Sequence, residues 1–252
     1  AIDALKDDTD RFIDEPGRLP IALDVDGQMR EIGEFSSAEL RSRSRLKFYA
    51  LVQFSKAARE LSLHPVVMSF LRSVFRDRPS PMSSLTFIRG SQQPPHADYA
   101  YVFRQKHLPM MAASWIPLED IRPEAGPLAY YPGTHRVEKF GLYDFPGEGI
   151  YTPSGSEAAV SGFTQWLDRK LEDGGYERKL FMPKKGDVLI WHAALVHEGV
   201  PIEDEAATRW SHVTHYTSES CMPPDHVKRD KKGRPIGVEH GEVEILLSKS
   251  PS

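Results

Sequence analysis

The stretch QPPHADYAY, residues 93–101, sets an imidazole and a carboxylate two positions apart, His96 and Asp98, directly after two prolines. In an extended segment alternate side chains point to one face, so these two converge on one object, and a single cation is such an object. A mononuclear non-haem iron site takes two imidazoles and one carboxylate on one side of the ion, so a third ligand is expected from elsewhere in the chain.

The chain has ten histidines. Context sets several aside: His64 stands at a helix start, His107 in a basic loop, His135 at the end of the turn PGTH, and His226 and His240 in a polar C-terminal region. The rest lie in GDVLIWHAALVHEGVP, with His192 and His197, and in TRWSHVTHY, with His212 and His215. If the first of these runs on as one strand, His192 and His197 are five apart and face opposite sides. At most one then points inward, and periodicity does not choose between them.

Arg209 follows His197 by twelve residues, with Ser211 two further along the same strand face. The loop GVPIEDEAA turns the chain back and is expected to set Arg209 antiparallel beside the histidine strand. Ferrous iron with one carboxylate ligand carries one net positive charge, and a dicarboxylic oxoacid brings two negative ones. One buried arginine restores neutrality, and its planar fork takes a carboxylate through two bonds.

These residues need a scaffold. Short strands punctuated by turns are expected at SLTFIR, YAYVF, MMAASWIPL, PLAYYP, KLFMP, DVLIWH and RWSHVTHYT, which implies a sandwich or barrel. Residues 38 to about 75, including LKFYALVQFSKAAREL and PVVMSFLRSVF, read as helical, the second helix capped by Ser62 or His64. SEAAVSGFTQWLDRKLED is a further helix crossing the outside of the sheets. HVKRDKKGRPIGVEHGE reads as an exposed loop before a last strand, EVEILLS. The expected organisation is a single domain over 1–252: a mostly helical scaffold at 1–80, a β core at 81–220, and a polar loop with a final strand at 221–252.

The composition narrows the function classes. The net charge of −4 is spread along the chain, which favours neither nucleic acid nor an anionic membrane as partner and leaves a small-molecule substrate. No apolar run approaches the roughly 20 residues of a membrane span. Cys221 is the single cysteine, so an intrachain disulfide and a thiolate zinc site are excluded, and a reducing cytoplasm is the expected location. AIDALKDDTDRFIDE lacks the pattern of a secretory signal and reads as the second half of a helix that starts upstream.

HADYAYVFRQKHLPMMAASWIPLEDIRPEAGPLAYYPGTHR together with GDVLIWHAALVHEGVPIEDEAATRWSHVTHYT resembles the phytanoyl-CoA dioxygenase family of Fe(II) and 2-oxoglutarate dependent oxygenases, over roughly residues 64–220. The resemblance implies a mainly β fold with flanking helices, a double-stranded β-helix or jelly roll with the metal between its sheets. It implies His96, Asp98 and His197 as metal ligands, Arg209 against the distal carboxylate of 2-oxoglutarate, and Trp115 near the cosubstrate, with His192 left for packing. Gly199 departs from the family, whose members often carry a serine there, so Ser211 or Thr208 is expected to take that part.

The reaction so implied consumes O2 and 2-oxoglutarate, releases succinate and CO2, and by default hydroxylates an unactivated C–H bond; desaturation, epimerisation and ring formation begin with the same hydrogen abstraction, and the sequence does not separate them. Asp98 matters here, because related halogenases lack that carboxylate. Tyr101, Phe103 and Trp191 are expected to line a partly apolar substrate site, with Arg104 and Lys106 placed to meet an acidic group; nothing requires an acyl-CoA. Two other readings compete: a zinc or manganese jelly-roll isomerase or hydrolase, which has no need of Arg209, and a noncatalytic β-sandwich binding module.

Overall fold

The strand Ser211–Ser218, here β10, is buried along its whole length, so both of its faces are covered. On one side lies a helical layer and on the other a second sheet. The computed structural model describes residues 1–25, 27–43, 46–98, 100, 110–136, 157–222, 227, 230–232, 234–240 and 243–246. The elements run α1 (Ile2–Asp14), β1 (Ala22–Val25), β2 (Gln28–Glu31), α2 (Ser37–Ser42), β3 (Leu46–Tyr49), α3 (Lys56–Ser62), α4 (Pro65–Phe75), β4 (Pro79–Phe87), β5 (Met111–Pro117) and β6 (Leu128–Tyr130). After these come α5 (Glu157–Asp173), β7 (Lys179–Phe181), β8 (Leu189–His192), β9 (His197–Gly199), β10, β11 (Gly237–His240) and β12 (Val243–Leu246).

Seven strands form one antiparallel sheet in the order β2-β1-β3-β4-β10-β5-β8, and three form a second, β7-β6-β9. This is the double-stranded β-helix with flanking helices that the sequence leads one to expect. Register across the large sheet sorts its side chains cleanly. Ser83, His215, Ala113 and Trp191 form one cross-strand row, Leu85, Val213, Trp115 and Leu189 the next, and Lys47, Phe87, Ser211 and Pro117 a third. All three rows share one face, because cross-strand partners project to the same side. Trp115, Trp191, Val213 and Phe87 pack there with Leu128 and Leu195 to form the core between the sheets. The opposite face carries Phe48, Leu23 and Ile116 into the helical layer, where α1 contributes Leu5 and Ile13.

That helical face is pinned by a buried polar network. His212 places its two ring nitrogens against Ser62 Oγ (3.0 Å) and Thr86 Oγ1 (2.9 Å), and Tyr216 donates its hydroxyl to the Ser62 carbonyl at 2.7 Å. Ser62 therefore ties the end of α3 to the sheet and does not cap α4; the capping position is His64, followed by Pro65 at the first helical turn.

Two parts of the sequence reading are corrected. LKFYALVQFSKAAREL is not one helix: Leu46–Tyr49 is a strand, Leu51–Gln53 a single 3-10 turn, and the helix starts at Lys56 with Ser55 Oγ accepting from Ala58 N. Leu46 and Phe48 are buried while Lys47 and Tyr49 face the other way, a period of two that a run of four residues hides inside an apparently helical pattern. Ala50, at φ 55, ends the strand. Residues 1–80 are thus no mere helical scaffold, since β1, β2 and β3 extend the large sheet. The C-terminal segment read as loop also pairs: Gly237–His240 forms a hairpin with Val243–Leu246. The helix expected at SEAAVSGFTQWLDRKLED is present as Glu157–Asp173. Among the described residues no helix is long and apolar enough to cross a membrane.

Burial holds the His212 imidazole neutral, pushed down to about 3. In the unfolded chain it takes up a proton below its ordinary value of 6.5. Stability of the metal-free protein should therefore fall as pH drops from about 6.5 toward 3, His212 alone contributing up to about 1.4 kcal/mol per pH unit. Urea unfolding at pH 7, 6 and 5 measures this slope. His212→Gln should flatten it by that amount, and an unchanged slope would assign the dependence to other groups.

Candidate metal centre

His96 and His197 face each other across a reciprocal backbone pair. His96 N donates to His197 O and His197 N donates to His96 O, each at 3.0 Å. This two-residue bridge lies at the edge of the small sheet, where β9 also pairs with β6. Directly opposed residues put their side chains on the same face, and the two rings stand 4.3 Å apart between centroids.

Each ring is oriented by its own backbone. His96 Nδ1 lies 2.8 Å from Pro94 O, and His197 Nδ1 lies 3.0 Å from Leu195 O. A carbonyl oxygen only accepts, so the proton sits on Nδ1 in both rings and the Nε2 lone pairs are left for an ion. Both Nε2 atoms turn toward Asp98 Oδ1, at 3.9 Å from His96 and 3.5 Å from His197. The three donor atoms lie within 4.8 Å of one another, and all three residues are buried.

The protonation states suit metal binding. Burial, with the adjacent His197, pushes His96 down to about 3, so it stays neutral. Burial alone would raise Asp98, but the His197 and His215 imidazoles beside it hold its carboxyl well below the ordinary carboxylate range. Two imidazoles and one carboxylate fit a ferrous ion of the non-haem type, and the absence of thiolate from the set argues against structural zinc.

Beyond the triad, β10 brings Ser211 and His215 to one face, and the segment leading into it adds Arg209. Arg209 is 2% exposed. Its NH1 donates to Gly126 O at 3.1 Å, and its guanidinium lies 5.5 Å from the Trp115 ring centroid and 5.8 Å from that of Phe87. Arg209 Nε and Ser211 Oγ are buried without a hydrogen-bond partner among the described residues. Burial without a facing carboxylate lowers the guanidinium to about 10. A buried cation with an unmet donor, beside an unmet hydroxyl, is what a carboxylate ligand would satisfy.

The expected arrangement is met in some places and not in others. His96 and Asp98 do not share an extended strand; His96 sits in the bridge and Asp98 in a turn, so it is the turn that brings the carboxylate round. His192 and His197 do not lie on one strand either. Ala193–Val196 carry the chain from β8 in the large sheet to β9 in the small one, and His192 is left half-buried with Nδ1 accepting from Ala194 N. Arg209 is not beside the histidine strand β9, because it leads into β10, which pairs with β4 and β5 in the other sheet. Thr208 is exposed, so of the two expected hydroxyls Ser211 alone is buried. Trp191, expected against substrate, instead donates its indole N–H to Asp98 Oδ2 at 2.6 Å. Tyr101, Phe103, Arg104 and Lys106 lie outside the described residues.

Sequence reasoning missed Lys47 and Arg89, which with Asp24, Phe87, Ser91 and Gln92 line a cleft of about 300 Å³. Lys47 pairs with Asp24 at 2.9 Å, and its charge helps to keep His96 neutral. Only the unseen period of two in β3 would have turned Lys47 inward.

A family model described as phytanoyl-CoA dioxygenase (PhyH) matches residues 2–206. The chain belongs to the phytanoyl-CoA dioxygenase family. It is 23% identical over 188 residues to phytanoyl-CoA dioxygenase domain-containing protein 1 of Danio rerio, covering 72% of this chain and 60% of that protein. Among solved structures it is similar to EctD from S. alaskensis with 2-oxoglutarate and 5-hydroxyectoine (TM-score 0.58, 16% identity, 87% of this chain and 68% of that one). It also resembles the non-heme alpha ketoglutarate dependent carbocyclase SnoK from nogalamycin biosynthesis (0.54, 18%, 80% and 76%) and AviO1 from Streptomyces viridochromogenes Tue57 (0.52, 19%, 88% and 86%). At these identities the likeness speaks for the shared fold.

The glycine at 199, where family members often have serine, has a local cause. A Cβ there would collide with Ser91 Oγ and come within 2.8 Å of Gln92 N. The Ser91 hydroxyl, arriving from the loop before His96, fills that space. Gly199→Ser should cost about 1–3 kcal/mol by overpacking, read as a lower midpoint in chemical unfolding. Ser91→Gly in the same chain should recover part of it, the Gln92 backbone contact remaining.

Proposed function

We propose that the protein is a 2-oxoglutarate-dependent non-haem iron dioxygenase that hydroxylates an unactivated C–H bond of a small-molecule substrate. The carrying observation is the pair of unmet polar groups, Arg209 Nε and Ser211 Oγ, buried at the start of β10, the strand that also presents His215 toward the triad. A metal isomerase or hydrolase gives these groups nothing to bind, and a noncatalytic module has no use for three converging donors. Family membership and the 2-oxoglutarate bound in the EctD structure support the same reading.

In this scheme His96, Asp98 and His197 would hold Fe(II). Arg209 takes the distal carboxylate of 2-oxoglutarate through its planar fork, and Ser211 donates its hydroxyl to it. Trp115 and Phe87 flank the guanidinium and keep it dry, which strengthens the ion pair. Lys47 and Arg89 make the neighbouring cleft attractive to an anion. When bound, the metal with 2-oxoglutarate and O2 supplies oxidative decarboxylation to succinate and CO2 and the oxidising equivalent for the C–H bond. The buried walls exclude water from that chemistry. Asp98 would supply the carboxylate ligand that related halogenases lack, which makes hydroxylation the outcome proposed; SnoK, named a carbocyclase, is one neighbour with another.

The test is to add Fe(II) and then 2-oxoglutarate to metal-free protein without oxygen and record the visible spectrum. Wild type should develop a metal-to-ligand charge-transfer band. His197→Ala should lose it, and Arg209→Ala should require at least about 30-fold more oxoacid, the lower end for truncating one partner of a buried charge pair. Tight metal binding with no band at saturating 2-oxoglutarate would move the assignment to the other metal chemistry, and no metal binding would leave the binding module.

A further inference from the structure

We infer that Trp191 is a positioning residue of the metal centre, holding Asp98 so that the carboxylate offers the ion one oxygen only. The inference rests on reading His96, Asp98 and His197 as the ligands. The two oxygens of Asp98 have different surroundings. Oδ1 faces the imidazole nitrogens of His96, His197 and His215, at 3.9, 3.5 and 3.7 Å. Oδ2 is turned the other way and accepts the Trp191 indole N–H at 2.6 Å, a short, charge-assisted bond. An indole nitrogen is a donor only, so this bond has one possible direction and no tautomer to assign.

Trp191 is itself held firmly. It is 5% exposed, pairs with Ala113 in the large sheet, and packs among Trp115, Val213 and Leu195. Its ring also contacts that of His197, with centroids 4.8 Å apart. One side chain of the large sheet therefore touches two of the three donors, both of which come from segments outside that sheet. Asp98 needs such support because it sits in a turn, without a strand to fix its rotamer. With Oδ2 engaged, the carboxylate does not rotate to grip the ion through both oxygens, and a coordination position stays open for the cosubstrate. Opposite Trp191, His215 stands with its Nδ1 fixed against Ser83 Oγ at 3.0 Å, which limits rotation of the carboxylate the other way.

The experiment measures Co(II) and Fe(II) affinity of the metal-free full chain without oxygen, in wild type, Trp191→Phe, Asp98→Ala and the double variant. Trp191→Phe keeps an aromatic ring and removes the donor. It should weaken metal binding about 10- to 100-fold, the range for losing a group that orients a ligand, and change the Co(II) visible spectrum as the second oxygen enters coordination. In the Asp98→Ala background the same substitution should have no further effect. Equal affinities in wild type and Trp191→Phe, or an undiminished loss in the double variant, would overturn the inference while leaving the metal site standing. Failure of wild type to bind either ion would remove the site on which it rests.

Should Trp191→Phe not fold, wild-type protein labelled on its four tryptophans carries the same information in its indole N–H resonances. One of them should lie far downfield, exchange slowly and move when Zn(II) is added. If all four ignore the metal, the inference fails.

Discussion

The reciprocal backbone pair between His96 and His197 is the constraint from which the rest of the centre follows. Two hydrogen bonds of 3.0 Å fasten the segment after Pro94-Pro95 to the edge of the small sheet. Directly opposed residues send their side chains the same way, so the pairing places both imidazoles on one face before any metal is considered. Asp98 then needs only the turn that follows His96 to reach them. The backbone carbonyls of Pro94 and Leu195 finish the arrangement by orienting each ring.

β10 shows how one strand serves stability on one side and chemistry on the other. Toward the helices, His212 and Tyr216 have partners in Ser62, Thr86 and Ser114. Toward the small sheet, Arg209 Nε and Ser211 Oγ have none. Leaving such buried groups unmet costs about 1–3 kcal/mol each, a cost the folded chain bears at the point where a ligand carboxylate would relieve it. The bonds of His212 and Tyr216 to Ser62 offset it by locking α3 to the sheet, and the apolar row of Leu85, Val213, Trp115 and Leu189 fills the space between the two ends of the site.

The site is assembled across the sandwich. His197 and His96 belong to the small sheet, whereas Arg209, Ser211, Trp115 and Trp191 belong to the large one or its border. Two points of close backbone approach pack the segments of the small-sheet side against one another. Gly126, at φ +72, lies so near Val200 O that a Cβ would come within 2.6 Å of it, and the Gly126 carbonyl is the acceptor for Arg209. Gly199 is closed against Ser91 and Gln92 in the same way. The Trp191 bond to Asp98 adds a polar link between the layers where the donors meet.

By itself the sequence determined the donor chemistry, the β-rich core, and elements long enough for their period to be read, such as the helix at Glu157–Asp173 and the all-buried strands β5 and β10. These depend on residue type and local spacing, which are properties of the chain. Tertiary structure decided what local spacing leaves open. A period of two says that Ser211, Val213 and His215 share a face and that His212, Thr214 and Tyr216 share the other, but not which face meets the metal. The change of sheet between His192 and His197 is a turn of four residues inside an apolar run, without glycine or proline to mark it. β3 is four residues embedded in a helical pattern, and it becomes a strand because β1 and β4 offer it two ladders of hydrogen bonds. The role of Trp191 also emerged only in three dimensions, since its partner lies 93 residues away and a buried tryptophan looks the same in sequence whether or not its N–H has found a carboxylate.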